Sequence, residues 1–375
     1  MTKAPAYLML LAAVPFLLTC GGGPVVWSVT VRCDPGAVAA GMAKAGPNIA
    51  VVGTKVSPGT GSAAMVVQMF DDRGQVRWRR EYAEGEANVA GGVALNRRGE
   101  AFVAGGSRID EREMCVVAKY RIDGNLLWHR ALAVGDGCRA TGIAVMDDGV
   151  LVCGSASVKE ETRMLFALLD ESGETVWVRN FRFGVINHAA GIAVDDRGCI
   201  VVGGQTGPAD NPDILVARLG SEGDTLWTRR YDSGGEDRCG GVALDVFGNV
   251  LVTGTALQGG SPRCVILEYH PDGELIRKAA YGERTVAEGR AITATPEGDI
   301  FVAGAVYDGE QQHLLAFQYK PNATSVWERN YRHDGRNTTG AGIVVDQDVY
   351  VLSTVETDPD PDMVLTRLFR PVLAQ

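Results

Sequence analysis

The sequence has few of the residues from which the simplest metal sites are built. Its five histidines, at positions 129, 188, 270, 313 and 333, include no His-x-x-x-His pair. None of its eight cysteines belongs to a Cys-x-x-Cys pair. Zinc sites are typically recognised by such closely spaced ligands. We therefore predict no metal site and no cofactor.

Positive charge is also scarce. The chain has 36 lysines and arginines against 46 aspartates and glutamates, which gives a net charge of −10 at pH 7. A general nucleic-acid binder needs a basic surface to meet the phosphates. We therefore predict no nucleic-acid partner.

Short motifs for nucleotide binding and hydrolysis are absent as well. There is no P-loop and no Gly-x-Ser-x-Gly nucleophile elbow. The frequent Asp-x-x-Gly segments, such as 195–198, lack the alternating oxygen ligands and distal glutamate of an EF-hand loop. We interpret these segments as hairpin turns. A catalytic triad that the fold assembles from distant residues stays open.

The N-terminus has the pattern of a targeting segment. Lys3 precedes an apolar run over 7–18, which has the length of a secretory signal and is short for a membrane span. The run ends in Leu-Leu-Thr-Cys at 17–20, which resembles a bacterial lipobox with threonine in the usual small-residue place. We predict a signal peptide over 1–20 and lipid attachment at Cys20, hence an exported, membrane-anchored lipoprotein facing the periplasm or cell surface. An ordinary cleaved signal is the alternative.

The rest of the chain is a repeat with a period of about 50 residues. Tryptophan occurs at 27, 78, 128, 177, 227 and 327, and Ile276 stands where the missing member of this series would fall. The sequence therefore contains seven equivalent positions.

Each repeat reads as four short strands joined by polar turns. In one copy, a strand over 191–194 is followed by a turn at 195–198, an apolar run ending in Gly203, a third strand and a strand that carries Trp227. No segment has a sustained helical period. Four strands per repeat predict an all-β fold, a single seven-bladed β-propeller over 24–375 with four-stranded antiparallel blades.

The last repeat ends after its third strand. Residues 25–31, which contain Trp27, look like a fourth strand without a sheet. We predict that they pair antiparallel with residues 363–368 and complete the last blade, which removes two open sheet edges.

The repeats resemble the SBBP-type bacterial β-propeller repeats. The residues that carry this resemblance are Asp195, Gly198, Gly203 and Trp227, with their counterparts in the other copies. The resemblance covers almost everything from residue 24 onward and is specific for architecture. It implies an exported or surface-associated protein and leaves the activity undefined.

Eight cysteines leave the disulfide pattern open. If Cys20 carries a lipid, seven remain, so at least one lies outside any intramolecular bridge. Cys115 begins a third strand, and we place Cys138 just beyond the fourth strand of the same repeat. Neighbouring strands lie about 4.8 Å apart, within reach of a disulfide. A bridge and two free thiols both remain open.

We expect the loops between repeats, together with those between second and third strands, to share one face of the propeller. A binding site on this loop face and a merely solvated rim are the two interpretations of its polar residues. The candidate binding residues on this face are Glu86, His188, Glu236, Asp237, Arg238, Glu288, Arg290, His333, Arg336 and Asn337.

Without a catalytic motif, we expect a non-catalytic binding or scaffold module of the bacterial cell envelope. It would be a monomer that meets the membrane through its lipid and a protein or glycan partner through the loop face. The alternatives are a propeller enzyme (a quinone-dependent dehydrogenase, a lyase or a hydrolase) and an outer-membrane assembly lipoprotein. Quinone-dependent relatives usually have eight blades, so seven repeats count against that class.

Overall fold

The computed structural model describes residues 25–31, 33, 36–57, 62–195, 198–282, 285–320 and 325–370. Within them the chain forms 28 β-strands and a 3₁₀ turn at His333–Gly335. Among these residues there is no helix of the length and hydrophobicity that crossing a membrane requires. The predicted signal peptide and Cys20 lie outside the described residues.

The strands follow one another in groups of four. The first strands of the groups are β2 (Ala37–Ala45), β6 (Ala87–Leu95), β10 (Gly137–Met146), β14 (Ile186–Val194), β18 (Arg238–Leu244), β22 (Val286–Ala294) and β26 (Thr338–Val345). The second strands are β3 (Asn48–Val56), β7 (Ala101–Ile109), β11 (Gly149–Val158), β15 (Ile200–Gly207), β19 (Val250–Gln258), β23 (Ile300–Asp308) and β27 (Val349–Val355).

The outer strands complete each group. The third strands are β4 (Ala63–Asp71), β8 (Arg112–Tyr120), β12 (Glu161–Asp170), β16 (Asp213–Leu219), β20 (Ser261–Tyr269), β24 (Gln311–Tyr319) and β28 (Asp362–Leu368). The fourth strands are β5 (Val76–Tyr82), β9 (Leu126–Leu132), β13 (Thr175–Phe181), β17 (Thr225–Tyr231), β21 (Leu275–Tyr281) and β25 (Ser325–Tyr331), with β1 (Val25–Val31) in that place beside β28.

Neighbouring strands within each group pair antiparallel, as in β14-β15-β16-β17. The groups β2–β5 and β6–β9 are joined into one sheet by a single residue pair, Ala63 with Ala87. Consecutive first strands contact one another from β2 to β26, and β26 contacts β2. The all-β prediction is confirmed, and the arrangement is that of a β-propeller whose 28 strands fit seven blades of four.

The predicted closure by the N-terminal strand is confirmed. β1 pairs antiparallel with β28, with Val31 opposite Met363 and Trp27 opposite Arg367. The resulting sheet has the order β1-β28-β27-β26. The beginning and the end of the described chain are therefore hydrogen-bonded to each other.

The repeated tryptophan is explained by packing between neighbouring sheets. Trp78 donates its indole N–H to the carbonyl of Ile122, 2.8 Å away in a turn of the next sheet. Gly124 in the same turn has a φ of 82°, and a Cβ there would lie 2.7 Å from the indole ring. The same arrangement joins Trp128 to Gly173 and Trp227 to Gly273. At these three junctions the tryptophan and the glycine turn between the third and fourth strands of the next sheet thus form one structural unit.

Seven described cysteines are free thiols. From the sequence we placed Cys138 just beyond the fourth strand of the sheet that contains Cys115. It is instead the second residue of β10, the first strand of the next sheet. Its Sγ lies 3.4 Å from the backbone nitrogen of Cys115. Both side chains belong to the hydrophobic core between these two sheets.

Candidate functional site

One position near the start of each first strand lies at the loop face, and because the first strands contact one another in a ring, these positions surround the axis of the propeller. Every first strand shifts its register against the second strand at a bulge, such as that between Ala189 and Gly191. The residue just before the bulge is exposed or half-buried, while the residues on either side of it are buried in every first strand except β2, where Ala39 is half-buried. We call this set the mouth row: Val38, Val89, Arg139, His188, Arg238, Glu288 and Thr339.

Glycines in the second strands fix the backbone beneath the mouth row. A Cβ on Gly204 would lie 2.2 Å from the His188 carbonyl oxygen, and a Cβ on Gly304 would lie 1.9 Å from the Glu288 carbonyl oxygen. Both distances are steric overlaps. Val89, Arg139 and Arg238 are related in the same way to Gly105, Gly154 and Gly254. In these five repeats the second-strand glycine is therefore required by the close approach of the inner strand, whereas Ser353 stands in this place in the last repeat.

The mouth row is apolar on one side of the opening and polar on the other. Val38 and Val89 are neighbours in the ring, whereas Arg139, His188, Arg238 and Glu288 follow one another in consecutive first strands. Partial burial, with the positive charge of Arg139 as a second cause, lowers the pKa of His188. His188 is therefore a neutral base near pH 7, between two arginines of the row.

Glu288 is held by a hydrogen-bond network. It accepts from Arg290 Nη2 at 2.9 Å and from the Tyr307 hydroxyl at 3.1 Å. Gln312 Nε2 donates to Tyr307 at 3.2 Å and to Thr339 at 2.5 Å. Burial, followed by the charge of Glu288, raises the pKa of Tyr307, so this phenol remains a donor.

The structure brings some of the predicted site residues together. His188, Arg238 and Glu288 are in the mouth row, and Arg290 is in the bulge next to Glu288. Glu236 accepts from Arg238 Nη2 at 2.6 Å. Asn337 accepts from the backbone N–H of Gln312 at 3.0 Å, and thereby joins the Glu288 network.

Other predicted residues lie away from this group. Glu86 forms an ion pair with Arg108 at 3.4 Å. Asp237 is fully buried at the junction between two sheets. His333 belongs to the 3₁₀ turn, and Arg336 follows that turn at its C-terminal end.

Sequence reasoning missed Arg139, Tyr307, Gln312 and Thr339. A signal for two of them was present, because mouth-row residues stand three positions before the Gly that follows the bulge, as Arg139 does before Gly142. Aligning the repeats on this glycine identifies the row. Tyr307 and Gln312 pair with each other at the ends of β23 and β24, next to the loop between second and third strands, where the repeats vary in sequence.

The chemistry available at the mouth is that of a base beside positive charge. A neutral imidazole accepts a proton, and guanidinium groups stabilise an oxyanion or bind a carboxylate. The carboxylates of Glu288 and Glu236 neutralise Arg290 and Arg238, so the remaining positive charge in this part of the row is that of Arg139, next to the neutral His188.

No protein-family model and no curated protein sequence matches the chain. Solved structures match its fold at low sequence identity. The propeller domain of the Trilobed protease from Pyrococcus furiosus, described as having an open velcro topology, is 14% identical with a TM-score of 0.53; the match covers 88% of this chain and 93% of that one. The periplasmic gluconolactonase PpgL of Pseudomonas aeruginosa is 13% identical with a TM-score of 0.54, over 83% of this chain and 92% of that one.

Puromycin hydrolase also shares the fold, at 14% identity and a TM-score of 0.58 over 89% of this chain. The chain spans about half of that protein, 54% of its length. These three structures are named as a domain of a protease, a gluconolactonase and a hydrolase. They overturn our expectation of a non-catalytic binding or scaffold module and favour the alternative, a propeller associated with an enzyme.

Proposed function

We propose that the chain is a hydrolase of the propeller class, with its active site at the polar side of the mouth row. The substrate class is a small ester or lactone that yields an acid. The observation that carries this proposal is His188, a neutral base placed beside Arg139 and Arg238 in one row. The match to the periplasmic gluconolactonase gives further support, because it covers 92% of that enzyme's chain, so almost all of that enzyme lies within the shared fold.

In this mechanism His188 takes a proton from water as the water oxygen bonds to the carbonyl carbon. The negative charge that develops on the carbonyl oxygen is stabilised by Arg139 and Arg238. The C–O bond to the leaving group then breaks, and the leaving alkoxide receives the proton back from the imidazolium. Collapse of the oxyanion leaves a neutral carboxylic acid, which releases its proton to solvent, and the resulting carboxylate lies beside the same arginines.

We expect replacement of His188 by Gln to lower kcat/KM for the best ester or lactone by about 10²- to 10⁴-fold, the usual contribution of a positioned base. Purified protein assayed against a panel of esters and lactones gives this measurement. Val89→Ala changes an apolar member of the same row and is the matched control, with activity close to that of the parent chain. Full activity in His188→Gln, or no hydrolysis of any panel member, contradicts the proposal.

The pH profile tests the role of Arg139. The active form of His188 is the deprotonated one, so the rate falls as pH drops through its folded-state pKa. Because Arg139 lowers that pKa, Arg139→Ala should move the acidic limb of the profile to higher pH. An unchanged limb in Arg139→Ala would show that His188 does not act as the base.

We also infer that the propeller has seven blades of the SBBP-type repeat and acts as a monomer. The ring of contacts among the first strands and the seven tryptophan-equivalent positions support this number. A protein or glycan that binds the loop face would in this view be a substrate or a competitor at the mouth.

The lipobox-like segment supports a membrane anchor, which we propose as well. Cys20→Ala should release the protein from the membrane fraction, because the lipid chains provide the attachment. Fractionation and immunoblotting of the expressing bacterium measure the distribution. Cys33→Ala removes a thiol outside this segment and should leave the protein in the membrane. Equal membrane association of Cys20→Ala and the parent chain would rule out lipid attachment at this residue.

A further inference from the structure

Three aspartates meet at the junction between the sheets β14–β17 and β18–β21, outside the mouth row. Asp213 begins β16, while Asp232 and Asp237 lie in the loop from β17 to β18. One carboxylate oxygen from each lies within 4.8 Å of the others. Asp213 and Asp237 are completely buried, and Asp232 is exposed. The cluster is thus open to solvent on one side only.

Comparison of the repeats shows that an aspartate is unusual at this junction. Asp237 occupies the place of Asn88 and Asn187, each two residues before its bulge. Both asparagines donate Nδ2–H to a carbonyl of the preceding sheet, at 3.0 and 2.8 Å. A carboxylate cannot make this bond. Asp237 instead accepts from the backbone and hydroxyl of Ser233, at 2.7 and 2.5 Å, and faces Asp213.

The buried oxygens of this junction are incompletely satisfied. Oδ1 of the buried Asp213 has no hydrogen-bond partner among the described residues. Arg230 forms an ion pair with Oδ2 of Asp213 and lies 3.8 Å from Asp232. Buried oxygens without a donor destabilise the folded state. A ligand that accepts electron pairs from them would remove that cost.

A small concavity lies over the same oxygens. Gly207 has no side chain, and a Cβ there would lie 2.9 Å from Oδ2 of Asp213 and 3.4 Å from the carbonyl oxygen of Asn211. The cluster carries three carboxylates against the one guanidinium of Arg230, so two negative charges remain.

We propose that a calcium ion binds between these two sheets, with Asp213, Asp232 and Asp237 as its ligands. Calcium takes oxygen ligands, tolerates irregular geometry and is held by carboxylates and backbone carbonyls. The ion crosslinks neighbouring sheets and neutralises the residual charge. The proposal departs from our sequence prediction of no metal site. That prediction considered cysteine and histidine spacing and the EF-hand pattern, and it did not consider aspartates that the fold brings together.

The test compares thermal unfolding of the full chain with EDTA and with calcium chloride. At a calcium concentration about 100-fold above Kd, we expect the midpoint of the parent chain to rise by about 3 °C. Asp237→Asn should abolish this rise. This variant is expected to fold, because asparagine occupies the equivalent place in two other sheets, and its midpoint in EDTA checks that it does.

Asp210→Asn is the matched control, since Asp210 is an exposed acid in the adjacent loop and its variant should keep the full rise. Arg230→Gln removes the competing cation and should bind calcium at least as tightly in titration calorimetry. The proposal is wrong if about 10 mM calcium leaves the parent midpoint unchanged, a concentration that saturates even weak extracellular sites. An equal rise in Asp237→Asn and the parent chain would also overturn it.

Discussion

A chain that lacks residues 25–31 is expected to lose its cooperative fold and to aggregate. The deletion removes β1, which pairs with β28, and leaves the backbone of β28 as an open edge. It also removes Val31, which is fully buried, and the half-buried Trp27 and Val29 from the core that contains Met363. Burial of side chains of this size stabilises by about 1.5–3 kcal/mol each.

The loss reaches beyond the last sheet. The ring of Trp27 packs against Gly74, where an added Cβ would lie 3.1 Å from the indole, so β1 also joins the last sheet to β2–β5. Three such side chains account for roughly 5–9 kcal/mol, which is comparable with the 5–15 kcal/mol stability of a typical domain. The deletion therefore removes most of the stability of a closed ring.

Circular dichroism and size-exclusion chromatography measure this outcome. A deletion of residues 1–24, which keeps β1, is the control and should melt in one cooperative transition. A synthetic peptide of residues 24–33 added during refolding should restore part of the fold, because it supplies the missing strand. A soluble monomer without residues 25–31 that melts like the control would contradict the closure as a source of stability.

The fold could be predicted from the sequence because its signals are local and repeated. Tryptophans equivalent to Trp78 recur with the period of the sheets because the indole packs against the next sheet, as Trp78 does on the turn glycine Gly124. The spacing of the tryptophans therefore marks the sheets. The closing strand was predicted by counting, because the last repeat has three strands and residues 25–31 form a strand without a sheet of their own. Pairing between residues more than 330 positions apart, as between Ser28 and Thr366, was reached in this way without any local signal.

The site was predicted only in part because exposure depends on the bulge in each first strand. His188 and Asp237 both lie near the start of such a strand, but one residue faces the mouth and the other is buried between sheets. Successive side chains of a strand point to opposite faces, so neighbouring positions differ in exposure. Sequence reasoning that treated each loop as a whole could not distinguish such positions. Arg139 was overlooked for the same reason. Expectations about loop faces need the register of each strand.

The second large effect is expected at a second-strand glycine. Gly304→Ala places a Cβ against the carbonyl group of Glu288, a backbone atom that cannot rotate away. The inner strand must move, and overpacking of this kind costs about 3 kcal/mol. For a chain of this length the midpoint of thermal unfolding should fall by about 4 °C.

The matched control is Gly191→Ala, in a first strand. Its added Cβ would meet no atom closer than 3.4 Å, the backbone nitrogen of Val242, so ordinary contact results and the midpoint should change little. An unchanged midpoint for Gly304→Ala would mean that the inner strand yields freely. The glycine would then have no packing role in the repeat. The second strand would not determine where the mouth-row residues lie.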